Sequence, residues 1–259
     1  MNATPSLRQK LRTGQLTYGS WIQLAHPAIA EIMAAAGFDW LTIDLEHSTI
    51  GIDQAEQLIR TIDLCGVAPL VRLTANDPSQ IKRVMDAGAH GIIVPMVNRP
   101  QDAVDAVAAV RYPPSGKRGV GLARAQGYGV GFEDYRQWLE NESVVIVQIE
   151  HIDAVRNLDA ILKVPGVDGF IVGPYDLSGS LGIPGKFDEP AMIQALEAIR
   201  KIALEHKSVA PGFHVVSPEP KRVSEKIAEG YRFIAYSTDM LFLGENCRNG
   251  LMAIRKGNS

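Results

Sequence analysis

Val144-Val145-Ile146-Val147-Gln148-Ile149-Glu150, the spacer Ile152–Leu162, and Gly169-Phe170-Ile171-Val172-Gly173-Pro174-Tyr175-Asp176 form one structural unit. Each flanking run is short, β-branched and apolar, the mark of a buried strand, and the spacer suits an amphipathic helix. The unit reads strand, helix, strand. Both runs close on a carboxylate, and a carboxylate at the end of a buried strand is costly to leave unpaired.

The same alternation extends in both directions. Strands are expected over Tyr18–Leu24, Trp40–Asp44, Ala68–Leu73, Gly91–Met96, Ala210–Val215 and Arg232–Tyr236, in addition to Val144–Glu150 and Gly169–Gly173. Helical patterns fill Ala28–Ala36, Asp53–Cys65, Pro78–Ala87, Gln101–Arg111, Glu189–His206 and Pro218–Glu229. Asn76-Asp77-Pro78 places a capping side chain ahead of a proline suited to the first helical position, and Ala87-Gly88 supplies a left-handed stop. About eight βα units without a linker predict a single-domain (β/α)8 TIM barrel over residues 1–259. A doubly wound open sheet would carry a Gly-rich dinucleotide turn after its first strand, whereas here that strand runs into Ala25-His26-Pro27. One long irregular segment, Tyr112 to about Asp134, carries many glycines and reads as a lid or an interface arm.

Composition narrows the function. With 46% hydrophobic and 21% charged residues and a net charge of -3, 26 basic side chains against 29 acidic ones leave no electrostatic excess for nucleic acid. The two cysteines, Cys65 and Cys247, have no zinc spacing and fit a reducing compartment. No apolar run approaches the ~18 residues that span a bilayer, and no export segment follows Met1. A cytoplasmic protein with no membrane partner is expected.

In a barrel, chemistry belongs at the carboxyl ends of the strands. Glu150 and Asp176 lie there and offer two oxygen ligands for a hard divalent cation such as Mg²⁺ or Mn²⁺. The same residues would serve equally as helix caps or partners of Arg and Lys, and spacing alone leaves both readings open. Arg72, among Val71, Leu73 and Thr74, needs an anion to face: a ligand oxygen, or Asp44 or Glu46. His47 follows two strand-end carboxylates that can orient its ring. His214 ends strand seven and can line the pocket, while His26, His90, His151 and His206 have weaker cases. None of the ten lysines stands at a strand's end, where imine chemistry would need one. Metal-assisted chemistry gains by comparison.

Several motifs together carry a resemblance. Phe38-Asp39-Trp40-Leu41-Thr42-Ile43-Asp44-Leu45-Glu46-His47, Val71-Arg72-Leu73, Asn76-Asp77-Pro78, Gly91-Ile92-Ile93-Val94-Pro95-Met96-Val97, Arg111-Tyr112-Pro113-Pro114, Arg118-Gly119-Val120-Gly121 and Gly173-Pro174-Tyr175-Asp176-Leu177-Ser178 occur in order from about Gly19 to Met240. The chain thereby resembles the HpcH/HpaI family of class II pyruvate aldolases. The resemblance implies a (β/α)8 barrel that uses Mg²⁺, Mn²⁺ or Co²⁺ to cleave a 4-hydroxy-2-oxo acid reversibly into pyruvate and an aldehyde, through a metal-bound pyruvate enolate.

Residue by residue, the resemblance makes Glu150 and Asp176 the metal ligands. It sets Gln148 near the keto oxygen, Arg72 at the charge that grows there, and His47, held by Asp44, as general acid or base. The backbone N–H groups of Tyr175 and Asp176 would hold the pyruvate carboxylate, and Trp21 would wall the pocket. Tyr175 stands where the family has a small residue, and His151 follows Glu150 in place of Thr. Both departures bear on pocket size and acceptor preference.

For assembly, the apolar segment Met240-Leu241-Phe242-Leu243 with Cys247, Leu251, Met252 and Ile254 suggests a helix packed on another subunit. The resemblance implies dimers with exchanged C-terminal helices built into a homohexamer, the Gly-rich segment after Arg118 reaching a neighbour's site. An ordinary eighth helix on its own barrel is the alternative. Two other functions compete. A citramalyl- or malyl-CoA-type lyase would need a basic patch for CoA phosphates, which the sequence does not show. A non-catalytic barrel that binds an oxoacid would have little use for a base such as His47.

Overall fold

Each expected strand forms. In the computed structural model, which describes residues 5–257, the strands are β1 (Thr17–Ile22), β2 (Trp40–Asp44), β3 (Ala68–Arg72), β4 (Gly91–Val94), β5 (Val144–Ile149), β6 (Gly169–Val172), β7 (Ala210–Val215) and β8 (Phe233–Thr238). They pair in parallel in chain order, and β8 returns to β1, so the sheet closes into a barrel. Closure excludes the open sheet.

Successive strand residues face opposite ways, so the strands feed two apolar clusters. One lies between barrel and helices and includes Ile43, Val71, Ile92, Val145 and Phe170. The other fills the barrel with Trp40, Leu70, Ile93, Val144, Ile146, Ile171 and Phe233. Trp40 stacks on Phe233 at 4.1 Å between ring centroids. Gly19 makes room for that stack, because a Cβ there would lie 2.0 Å from the indole. A filled interior confines chemistry to the barrel's ends.

The helices are α1 (Leu7–Arg12), α2 (Pro27–Ala35), α3 (Ile52–Leu64), α4 (Pro78–Asp86), α5 (Pro100–Val110), α6 (Phe132–Asn141), α7 (Ile152–Arg156), α8 (Leu158–Leu162), α9 (Pro174–Ser180), α10 (Pro190–Glu205), α11 (Pro220–Ala228) and α12 (Asp239–Gly257). Asp77 caps α4 by accepting from the N–H groups of Ser79 and Gln80, and Gly88 follows with φ +102°. The helix expected over Ile152–Leu162 is broken at Asn157, whose amide donates to the Asn98 carbonyl at 2.8 Å.

Helix α1 closes the amino end of the barrel. Leu7 and Leu11 join the interior cluster, and buried Arg8 pairs with buried Asp168 at 2.7 Å. The long segment after α5 contains a 3-10 turn, Arg124–Gly129, which Arg124 pins to Asp63 at 2.6 Å and to the Ala87 carbonyl at 3.1 Å. Val120, Leu122, Tyr128 and Val130 of this segment are exposed, as are Met240, Leu243, Leu251 and Met252 on α12. Among the described residues no helix is long and apolar enough to cross a membrane.

Candidate active site

The carboxyl end of the barrel gathers Asp44, Arg72 and Gln148 from β2, β3 and β5, with Glu150 just after β5 and Asp176 entering from α9 just after β6. Strand β4 stops at Val94, short of the expected Met96, because Met96 takes a left-handed conformation (φ +52°). That turn aims its N–H at Glu150 Oε1, 2.7 Å away. The other carboxylate oxygen accepts from one N–H of the Gln148 amide, whose Oε1 is buried without a protein partner. Gly173 is required beside them, since a Cβ would sit 2.9 Å from Glu150 Oε2 and 3.1 Å from Gln148 Nε2.

Glu150 does not cap α7. His151 does, its Nδ1 accepting from the Asp153 N–H at 3.1 Å. Burial pushes the Glu150 carboxyl up to about 7; the Met96 N–H and the Gln148 amide oppose the rise, and the charges of Glu46 and Asp176 add to it. Asp176 is exposed in the first turn of α9, within electrostatic reach of both Glu150 and Glu46.

Asp44 and Arg72 are register partners on β2 and β3 and form a forked ion pair, Nε to Oδ1 at 2.9 Å and Nη2 to Oδ2 at 2.6 Å. Arg72 Nη1 lies 3.3 Å from Glu46. Asp44 also accepts from the backbone N–H groups of Glu46 and His47 and from the Gln23 amide. Burial alone would raise the Asp44 carboxyl, but the Arg72 bonds and charge, with these smaller donors, hold it below the usual carboxylate range. The guanidinium sits 4.4 Å over the ring of Trp21, which is 2% exposed. Trp21 is therefore both barrel core and the platform under Arg72. The ion-pair reading of Arg72 holds, and the fork to Asp44 fixes its guanidinium while other N–H groups remain for a ligand.

The expectation that Asp44 holds the His47 ring needs correction. Arg72 occupies the Asp44 carboxylate, which meets His47 only through the backbone N–H at 3.2 Å. The carboxylate facing the exposed ring is Glu46, with Oε2 at 3.9 Å from Nε2. Glu46 is one of the two strand-end carboxylates expected to orient the ring, and it is also the second anion beside Arg72. Burial raises the Glu46 carboxyl, Arg72 opposes this, and Asp44 and Asp176 add to it.

Two carboxylates, Asp44 and Glu46, thus flank Arg72, and Glu150 and Asp176 lie within electrostatic reach of Glu46. Among the described residues no cluster of three or more His, Cys, Asp or Glu side chains is arranged to hold a metal. Glu150 and Asp176 nonetheless fit a hard divalent cation, which takes few carboxylates and completes its sphere with water and substrate oxygens. Burial is the main reason Glu150 is raised, and the charges of Glu46 and Asp176 that add to it are ones such a cation would neutralise. The other histidines have local duties: His26 caps α2, His90 pairs with Asp63 at 3.2 Å, and His206 pairs with Asp159 at 2.9 Å. No lysine lies at the carboxyl end of a strand.

A family model described as HpcH/HpaI aldolase/citrate lyase matches residues 17–244. The chain is 39% identical over 242 residues to a 4-hydroxy-2-oxo-heptane-1,7-dioate aldolase of Salmonella arizonae, covering 92% of this chain and 90% of that one. It is 35% identical to a 2-keto-3-deoxy-L-rhamnonate aldolase of Escherichia coli, covering 100% and 97%. A crystal structure of an HpcH/HpaI aldolase/citrate lyase family protein from Burkholderia cenocepacia J2315 superposes with a TM-score of 0.91 at 34% identity, over 97% of this chain and 100% of that chain. The family match spans the strands that bear Arg72, Gln148 and Glu150 and the turn that bears Asp176, so the chain belongs to the HpcH/HpaI aldolase/citrate lyase family.

Proposed function

We propose that this pocket cleaves a 4-hydroxy-2-oxo acid reversibly into pyruvate and an aldehyde, as a class II aldolase. The observation that carries the reading is Arg72, locked by the Asp44 fork above Trp21 beside a carboxylate-rich cavity. A fixed cationic donor of this kind stabilises oxyanion charge as it develops, with little reorganisation.

A divalent cation held by Glu150 and Asp176, whether Mg²⁺, Mn²⁺ or Co²⁺, would polarise the 2-oxo group. The chain's own residues do the rest. N–H groups of Tyr175 and Asp176, in the first turn of α9 and without intrahelical acceptors, hold the substrate carboxylate. Arg72 N–H groups donate to the C2 oxygen as the C3–C4 bond breaks and that oxygen becomes an enolate. His47 takes the proton of the C4 hydroxyl, so that C4 leaves as the aldehyde carbon, and Glu46 supports the charge this places on its ring. Protonation at C3 then gives pyruvate. One N–H of the Gln148 amide keeps Glu150 oriented, and the second is left to hydrogen-bond near the keto oxygen.

Relatives named for a linear dioate and for a deoxy sugar acid set the range to test. A panel of 4-hydroxy-2-oxo acids from dioates to polyhydroxylated chains should yield pyruvate from at least one member when a divalent cation is supplied. Silence across the panel with each of Mg²⁺, Mn²⁺ and Co²⁺ would overturn the reading.

The exposed apolar residues of α12 and of the segment after Arg118 support a homo-oligomer, with α12 exchanged within dimers and the dimers built into a hexamer. Truncation after Gly244 should lower the mass measured by light scattering, and a folded chain of unchanged oligomeric mass would refute this role for α12. The two exposed free cysteines, Cys65 and Cys247, suit a cytoplasmic setting.

A further inference from the structure

Several buried polar atoms in the barrel mouth lack a protein partner, Trp21 Nε1, Gln148 Oε1 and His214 Nε2 among them, and the last is an acceptor that this chemistry leaves unused. His214 shares the strand face of Ala210 and Gly212, on the inner side of β7, and its ring lies 5.2 Å from that of Trp21. The Ser237 backbone lies beside the imidazole and favours its protonation, and Nε2 is buried with no protein partner. A carbonyl beside the ring, with Nε2 unpartnered, assigns the proton to Nδ1. Ser237 is itself fixed in place, with φ at +52°, its hydroxyl donating to the Val216 carbonyl at 2.9 Å and its own carbonyl also accepting from Ser20 at 3.2 Å. Burial, with the nearby charge of Arg72, pushes the ring down to about 3, so it is neutral and Nε2 presents a bare lone pair.

A buried acceptor without a donor is costly. The groups assigned so far do not supply one, since the C2 oxygen belongs to Arg72 and the C4 hydroxyl to exposed His47, on the outer side of the pocket. We propose that His214 is a specificity-determining residue whose Nε2 accepts a hydrogen bond from a substrate hydroxyl other than the C4 hydroxyl. The preferred substrates would then be built from a hydroxylated oxo acid or a hydroxylated aldehyde. The hydroxyl has two possible carriers, C3 of the 2-oxo acid half or the carbon next to the aldehyde group. This inference rests on the aldolase reading above and deepens it.

Aldol addition with size-matched partners tests it, because a methyl group replaces a hydroxyl at nearly constant volume. On the oxo-acid side, 3-hydroxypyruvate is compared with 2-oxobutanoate, each against propanal; on the aldehyde side, glycolaldehyde is compared with propanal, each against pyruvate. In the native chain with Mg²⁺, one hydroxyl-to-methyl ratio of kcat/KM should reach about tenfold or more, and the pair that shows it identifies the carrier. His214→Leu should bring that ratio to about one, while His214→Gln, which keeps an acceptor, should retain part of it. Working with ratios cancels any general loss of activity in the variants. A native enzyme that favours neither hydroxylated partner, or a His214→Leu ratio that does not move because a water alone satisfies Nε2, would overturn the inference while leaving the aldolase reading intact. No product from any pair, pyruvate with propanal included, would overturn both.

Discussion

Stripped of divalent cation by EDTA, the protein should release no pyruvate from a substrate it otherwise cleaves, and Mg²⁺, Mn²⁺ or Co²⁺ should restore the activity. Borohydride added with pyruvate should leave it active. Glu150 and Asp176 are hard oxygen donors at adjacent strand ends, in a pocket where carboxylates outnumber the one guanidinium. Lewis-acid stabilisation of developing charge is worth several kcal/mol, which corresponds to roughly a thousandfold or more in rate. Loss of the cation should therefore take cleavage close to the uncatalysed background. An imine route would need a lysine inside this pocket, and the lysines lie on helices and in loops away from the strand ends. A reduced lysine adduct found by mass spectrometry, or full activity in EDTA, would sink the metal-dependent mechanism.

The barrel was legible because its strands announce themselves locally. Val144–Val147 and Gly169–Val172 are β-branched runs bounded by turn residues, and Asp77, Gly37 and Gly88 mark helix ends with short-range chemistry. What stayed hidden depends on distant partners. Helix α1 is only six residues long, and its Leu7 and Leu11 acquire meaning from the barrel interior they plug. The Met96 N–H is a backbone donor that no side-chain pattern reveals, and the turn that aims it is what shortens β4. At the site, residue types and strand-end positions could be read, but the partition of bonds among them could not. Asp44, Glu46, Arg72 and His47 compete for one another, and the forked geometry across β2 and β3 gives Asp44 to Arg72 and leaves Glu46 between Arg72 at 3.3 Å and His47 at 3.9 Å.

That partition sets what Arg72 and His47 should do separately. If Arg72 meets the charge on the enolate, Arg72→Ala should lower kcat by on the order of a hundredfold or more. It should lower proton exchange at the methyl group of pyruvate comparably, because exchange passes through the same enolate. The substitution also leaves Asp44 buried without its guanidinium, a change that costs about 3–5 kcal/mol when a buried pair is broken. Arg72→Lys is the needed companion, since it keeps a charge beside Asp44 and loses the fork. A kcat deficit shared by both variants in chains that melt normally assigns the loss to the donors. His47 differs, because its ring is exposed and makes no close bond within the fold. His47→Ala should leave thermal stability nearly unchanged and cut aldol cleavage, which needs the C4 hydroxyl deprotonated, while sparing methyl exchange, which has no such hydroxyl. Equal losses of cleavage and exchange in His47→Ala would mean that His47 acts on the enolate itself, and the separate roles of the two residues would then collapse into one.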